Sequence, residues 1–252
     1  MSHTEFDKRM KCYEAVSDIR LTRRTPVILR FDGCHFHTFT RGFEKPFDSI
    51  LMKSMQKTML DLCKNIQGAV FGYTQSDEIT VVLVDYQTLK TSAWFDNRVI
   101  KMCSIGASMA SRFFNKNFID TVCEAYDTGA ISHVEYEKYQ KKFHKADFDC
   151  RAYNIPKEEV CNCIIWRQQD AERNSVQMLA QSLYSAKELH KVGVKALQDK
   201  MFTEKGVNWS NLITPKKRGT ACKKNEEGKW YIDYDMPILT AEGQREYVEA
   251  LI

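Results

Sequence analysis

The sequence predicts an α+β fold with ferredoxin-like β-α-β-β-α-β order, an antiparallel sheet and added helices. Three observations carry that expectation. Residues 26–31, Pro-Val-Ile-Leu-Arg-Phe, form a short apolar run that ends at Asp32-Gly33 and suits a buried strand. Behind a capping candidate at Asp48 or Ser49, the apolar residues Leu51, Met55, Met59, Leu60 and Cys63 recur at helical spacing, which predicts a helix to about Asn65. Two runs rich in β-formers, residues 69–73 and 79–85, then flank the polar tetrapeptide Gln75-Ser76-Asp77-Glu78, which suits a hairpin turn.

The remaining elements follow in order. A second helix is expected from Asn97 to Asn115, and residues 148–153, Phe-Asp-Cys-Arg-Ala-Tyr, are the candidate closing strand. Asn154-Ile155-Pro156 punctuates the chain. A long helical stretch then runs to roughly Lys195, with Gly193 as a possible break. The expectation is one domain over residues 1–252, with a core at about 25–195. A less regular tail at about 196–252 would pack on it and carry a short strand near residues 230–234.

Composition narrows the function classes. The 252 residues are 43% hydrophobic and 28% charged, as in soluble globular proteins. A net charge of +4 permits an RNA partner without demanding one. The first ten residues have no apolar leader core, and the longest apolar run, near residues 79–84, is too short for a bilayer. With nine cysteines and no CxxC pair, a reducing, cytoplasmic protein with no membrane partner is expected.

The acidic positions point to chemistry. Asp32 ends the first strand, and Asp77 and Glu78 sit in the hairpin turn. The β-α-β-β arrangement brings that strand end toward the hairpin tip. Carboxylates that converge without a basic neighbour repel one another, and a divalent cation removes the repulsion. Mg²⁺ prefers such hard oxygen ligands together with substrate phosphates. Two such ions can hold the attacking and leaving oxygens of a phosphoryl transfer. Gly33 lets backbone approach a phosphate closely. Taken singly, Asp-Gly after a strand is commonly a turn, and Ser-Asp-Glu between strands is commonly a solvated tip.

Several segments together are more specific. Residues 30–39 (Arg-Phe-Asp-Gly-Cys-His-Phe-His-Thr-Phe), 42–46 (Gly-Phe-Glu-Lys-Pro) and 72–78 (Gly-Tyr-Thr-Gln-Ser-Asp-Glu) are followed by residues 148–151, by Trp-Arg-Gln-Gln-Asp at 166–170, by Lys-Gly-Val-Asn-Trp at 205–209 and by Lys-Arg-Gly at 217–219. In this order, over about residues 25–220, they resemble the tRNA-His guanylyltransferase family and its Thg1-like members, 3′-to-5′ polymerases with a polymerase-like palm. The resemblance implies that Asp32, Asp77 and Glu78 are catalytic, and that Asp32, Asp77 and the Gly33 carbonyl bind two Mg²⁺. It implies that Gly33, Cys34, His35, Phe36, His37, Lys45, Ser76 and Asp77 contact a nucleotide, with ATP and GTP or another nucleoside triphosphate as substrates. It also implies tRNA contacts at Arg98, Lys101, Arg151, Lys216, Lys217 and Arg218, with Arg98 and Lys101 beside the active site, and a homotetramer. His35 and His37, placed on one extended face, are alternative metal ligands.

One departure matters. Eukaryotic members carry His-Ile-Asn-Asn-Leu-Tyr-Asn where this chain has Glu-Arg-Asn-Ser-Val-Gln-Met at 172–178, and only Asn174 is retained. That pattern is similar to bacterial and archaeal Thg1-like proteins, which favour template-directed repair of 5′-truncated tRNA over addition of a single G to tRNA-His. Basic clusters at Arg23-Arg24, Lys141-Lys142, residues 216–218 and Lys223-Lys224 are candidate RNA backbone contacts. A palm-type nucleotide cyclase shares the strand-and-hairpin acids, but it lacks the Trp-Arg-Gln segment.

Overall fold

The computed structural model describes residues 4–252. In chain order its helices are α1 (Glu5–Ala15), the single turn α2 (Phe36–Phe39), α3 (Ser49–Asn65), α4 (Val99–Asp127), α5 (His133–Gln140), α6 (Val160–Leu183), the single turn α7 (Ala186–Leu189), α8 (Val194–Lys205), α9 (Thr214–Arg218) and α10 (Glu246–Glu249). The strands are β1 (Val27–Gly33), β2 (Ala69–Gln75), β3 (Glu78–Leu83), β4 (Phe148–Asn154), β5 (Thr220–Lys224) and β6 (Trp230–Asp233).

All six strands form one antiparallel sheet in the order β4-β1-β3-β2-β5-β6. The first four are the expected ferredoxin-like unit. The less regular tail carries the expected short strand as β6 and an unexpected one, β5, and the two continue the sheet beyond β2.

Side chains alternate across a strand, so β1 serves two cores. Leu29 and Phe31 face α3 and α4, in a cluster with Met59, Leu62, Met102, Phe114 and Phe118. Ile28 faces the other way, with Val82, Val84, Val160 and Ile164, under α6 and the C-terminal segment. On that second face β1 continues as Arg30 and Asp32, polar positions that emerge as α6 passes. The buried apolar strand thus ends in charged groups held on a rigid support.

The helices differ from the sequence expectation in extent. α4 runs twelve residues beyond Asn115, because its Asn side chains find distant partners. Asn117 donates to Asp61 at 2.8 Å, and Asn115 donates to the Ala146 carbonyl at 2.7 Å. The long helix after Pro156 stops at Leu183, where Ser185 and Glu188 form a capping box that starts α7. Gly193 is the N-cap of α8.

Candidate active site

The site lies where the end of β1 meets the β2–β3 tip. The hairpin closes through two residues, Ser76 and Asp77, with Gln75 and Glu78 as its last pair. Ser76 adopts φ 50°, the left-handed conformation that so tight a reversal needs. The tip is tied to β1, since the Gly33 amide donates to the Asp77 carbonyl at 3.1 Å.

Register sets the side chains. Asp32 is directly opposite Glu78 on β3 and opposite Asp149 on β4, so three carboxylates line one face of adjacent strands. The Asp32 carboxyl is held above the ordinary aspartate range, first by burial and then by the Glu78 and Asp149 charges, against the pull of Arg30 and Arg151. The Asp77 carboxyl is pushed up by burial, with the Asp32 and Glu78 charges adding to the shift. Its own amide and the Ser76 hydroxyl oppose that shift. Raised acids without enough counter-charge suit a cation.

Glu78 differs from the expectation of acids without a basic neighbour. Arg30 and Arg167 both pair with it, Arg167 at 3.0 Å, and Arg167 also pairs with Asp170. The Arg167 guanidinium stacks 4.4 Å from the Trp166 ring, and Arg30 lies 5.7 Å from the same ring. Through these pairs the Glu78 carboxylate ties the hairpin tip to α6. Among the described residues no three His, Cys, Asp or Glu side chains are gathered as a ready metal cage. Asp32, Asp77 and the Gly33 carbonyl are the available oxygen ligands, two acids that would need further oxygens from substrate phosphates.

Past Asp32 the chain turns sharply. A Cβ on Gly33 would lie 2.3 Å from the Phe36 ring, so only glycine lets that ring fold beneath the strand end. Phe36 is buried against Phe39, Phe114 and Phe148, so towards a nucleotide it can offer only its backbone. His35 and His37 stand on this turn and on α2 rather than on an extended strand, with ring centres 6.4 Å apart. The Cys34 amide is already bonded to the Asp147 carbonyl, and burial pushes the Cys34 thiol up.

An open groove lies beside Asp77, lined by His37, Thr40, Glu44, Lys45 and Ser76. Its loop is organised by the buried Asp48, which caps α3 through the Leu51 amide (2.8 Å) and accepts from the Glu44 amide (3.0 Å) and the Tyr139 hydroxyl (2.7 Å). Lys45 is thereby presented into the groove while remaining exposed.

The remaining basic residues scatter. Arg151 is exposed on the Asp32 face, 3.8 Å from Asp149. Arg98 and Lys101 do not lie beside the site of their own chain. They begin α4 at the Val27 end of β1, where Asn97 bonds back to Leu21, about 17 Å along the strand from Asp32 at 3.3 Å per residue. Arg98 makes a two-pronged ion pair with Asp18, at 2.7 and 2.9 Å. Lys216 and Lys217 sit on α9, but Arg218 is turned inward to Glu172 at 3.2 Å and is not a free surface cation. Sequence reasoning missed Asp149, Arg30 and Arg167 as members of the site. Only the alternation in Phe-Asp-Cys-Arg and the Trp-Arg-Gln segment hinted at them.

A ferredoxin-like sheet whose first strand ends in Asp32 beside a hairpin tip that carries Asp77 into a lysine-bearing groove defines a palm-type nucleotidyltransferase. The chain belongs to the Thg1 family, whose model, described as tRNAHis guanylyltransferase, matches residues 7–156. Protein R259 of Acanthamoeba polyphaga mimivirus is 30% identical over 228 residues, 86% of this chain and 76% of the viral one. tRNA(His) guanylyltransferase 2 of Arabidopsis thaliana is 28% identical over 62% of this chain, which spans only 26% of the plant protein. Among solved structures, a bacterial tRNA(HIS) guanylyltransferase (Thg1)-like protein in complex with ATP superposes with a TM-score of 0.86 at 41% identity, covering 98% of this chain and 99% of that one. The tRNA(His) guanylyltransferase of Saccharomyces cerevisiae, at 19% identity and a TM-score of 0.66 over 92% of this chain and 96% of that one, shares the fold.

Proposed function

We propose that this protein adds nucleotides to the 5′ end of truncated tRNA in the 3′-to-5′ direction, directed by the opposite strand of the acceptor stem. The observation that carries the reading is Asp32 at the strand end beside the hairpin tip, with Asp77 on that tip lining the groove that presents Lys45, both acids held above their ordinary range. Repair is favoured over a single G addition by residues 172–178, which lack the eukaryotic motif. The 41% identity to a bacterial Thg1-like protein over 98% of this chain supports the same choice.

The chemistry follows from the site. The tRNA 5′ phosphate is activated with ATP or is already a triphosphate. The 3′ hydroxyl of the incoming nucleotide attacks the 5′ α-phosphorus, and AMP or pyrophosphate leaves. Asp32, Asp77 and the Gly33 carbonyl fit two Mg²⁺ ions, which when bound lower the pKa of the attacking hydroxyl and stabilise the leaving charge. Lys45 supplies a point charge to the triphosphate, and Ser76 supplies a hydroxyl. The backbone of Phe36, in the turn after Gly33, borders the same space. Base pairing with the tRNA 3′ strand selects the nucleotide, so the protein need not read sequence there. Arg151, Lys216 and Lys217 remain as contacts to the RNA backbone. Action in the cytoplasm as a homotetramer completes the reading.

The test is incubation with Mg²⁺, a labelled nucleotide and a tRNA lacking its first nucleotide. Label at the RNA 5′ end is the expected result. A cyclic nucleotide product, or RNA that is bound but never extended, would overturn the reading.

A further inference from the structure

Trp166 has no part in the chemistry above. It stands on α6 over the second face of the sheet and is 52% exposed, although tryptophan is ordinarily well covered. The ring is nonetheless held. The Arg167 guanidinium lies 4.4 Å from its centre and that of Arg30 lies 5.7 Å away. Glu78 fixes both guanidinium groups in turn. The Arg30 and Arg167 Nε atoms are buried, and neither finds a hydrogen-bond partner among the described residues. Burying donors unpaired lowers stability, and what the arrangement achieves is an indole fixed in place yet open to solvent.

We propose that Trp166 is a stacking platform for the terminal base of the shortened acceptor stem, and that it sets the RNA 5′ end against Asp32. The inference rests on the nucleotidyltransferase reading, which supplies the RNA end.

Placement selects the occupant. Arg30 and Asp32 lie on the same face of β1, two residues or about 6–7 Å apart along the strand. Arg151 and Asp149 stand opposite them on β4, on that face. The Trp166 ring thus meets β1 at Arg30, on the side of the sheet under α6. The Lys45 groove opens instead against α2 and the start of α3. A triphosphate on Lys45 and a base on Trp166 therefore approach Asp32 and Asp77 from different sides, as two reactants of one transfer require.

Charge selects a base over a phosphate. Arg30 pairs with Glu78, Arg167 with Glu78 and Asp170, and Arg173 with Asp170, while Arg151 lies 3.8 Å from Asp149. Carboxylates engage the arginines of this face, so it is no trap for the RNA backbone. What it leaves open is the aromatic ring, and a nucleobase of any identity can stack on such a ring. Templated addition at the ends of different tRNAs calls for that tolerance.

A tRNA lacking its first nucleotide and carrying 5-bromouridine at its new 5′ end tests the stack, because light couples that base to an aromatic side chain in contact with it. Irradiation without added nucleotide should give a cross-link at Trp166, and the same label in the anticodon loop should give none there. Trp166→Leu should raise the KM for the shortened tRNA about tenfold, the order expected for one lost base stack, and leave the nucleotide KM unchanged. Trp166→Phe, which keeps a ring, should restore the tRNA KM. A merely structural role would instead lower the urea midpoint of both variants and move both KM values together. Cross-links confined to other residues, or an unchanged tRNA KM in Trp166→Leu, would overturn the platform. A smaller assembly mass in Trp166→Leu with an unchanged tRNA KM would assign the ring to a protein partner and overturn it too. Because cross-linking needs no turnover, a protein that labels at Trp166 but never extends RNA would refute the proposed reaction and leave the platform standing. Extension without that label would do the reverse.

Discussion

Replacing Arg167 with Met keeps the unbranched apolar stem of the side chain and removes the guanidinium and its charge from a nearly dry position. The Arg167 side chain is 5% exposed, and that of its partner Glu78 is 16% exposed. At the observed 3.0 Å and an effective dielectric constant of about 20, the gross attraction is about 5–6 kcal/mol. Removing one member of a buried pair typically costs about 3–5 kcal/mol, because the other charge is stranded. Here neither carboxylate is stranded, since Glu78 keeps Arg30 and Asp170 keeps Arg173. The desolvation of the guanidinium is also relieved. The net loss should fall to about 2 kcal/mol, roughly a thirtyfold drop in the folding constant. Urea unfolding at pH 7.5 in EDTA measures it. Glu78→Gln in the Arg167→Met background should then cost less than it does in the wild type, because the contact is already gone. A loss below about 0.5 kcal/mol, within the usual range for a surface change, together with additive effects in the double variant, would refute the bracing role of Arg167.

Three further outcomes are expected. Asp77→Asn should stabilise the metal-free protein at neutral pH and abolish transfer. A carboxyl whose folded pKa is raised adds stability only below its unfolded pKa and loses it as pH rises, so the gain should shrink on acidifying and vanish below the unfolded aspartate pKa of about 3.9, as urea midpoints at neutral and acid pH would show. Gly219→Ala should destabilise the fold by about 2 kcal/mol or more, because φ is +85° and the new Cβ would lie 2.6 Å from the Tyr73 hydroxyl and 2.7 Å from the Thr74 carbonyl; thermal unfolding reads this directly. Lys45→Ala should leave stability unchanged, since the side chain is exposed, but raise the nucleotide KM about tenfold or more, the size of one lost charge-assisted phosphate contact, in steady-state assays.

Local periodicity made the first half of the fold legible. The apolar run of β1, the helical spacing in α3 and the polar tip between β2 and β3 each depend on residues close in sequence. The parts that were misjudged depend on distant partners. Asn115 and Asn117 resemble a helix end until Ala146 and Asp61 are placed beside them. β5, Thr-Ala-Cys-Lys-Lys, has little strand character of its own and is strand because β2 and β6 pair with it. The capping box at Ser132 and Glu135 that opens α5 was readable and was overlooked.

The site divides in the same way. Asp32 and Asp77 stand out locally, as acids at a strand end and a hairpin tip. Glu78 stands out with them, but its register position also brings Arg30 and Arg167 onto it, basic neighbours that no local pattern shows. Asp149 enters only through pairing of β4 with β1, which no local pattern fixes. Arg98 and Lys101 were carried over from a motif, and the direction in which α4 crosses the sheet sets them at its opposite end.

Binding of divalent ions by Asp32 and Asp77 is the claim on which the chemistry depends. Fe²⁺ substituted for Mg²⁺ in the presence of ATP, then treated with ascorbate and peroxide, cuts backbone near each bound ion. Cleavage at residues 32–34 and 76–78, suppressed by excess Mg²⁺ and lost in Asp77→Asn, is the expected pattern. Cleavage elsewhere, or cleavage at these positions that persists in that variant, would contradict it.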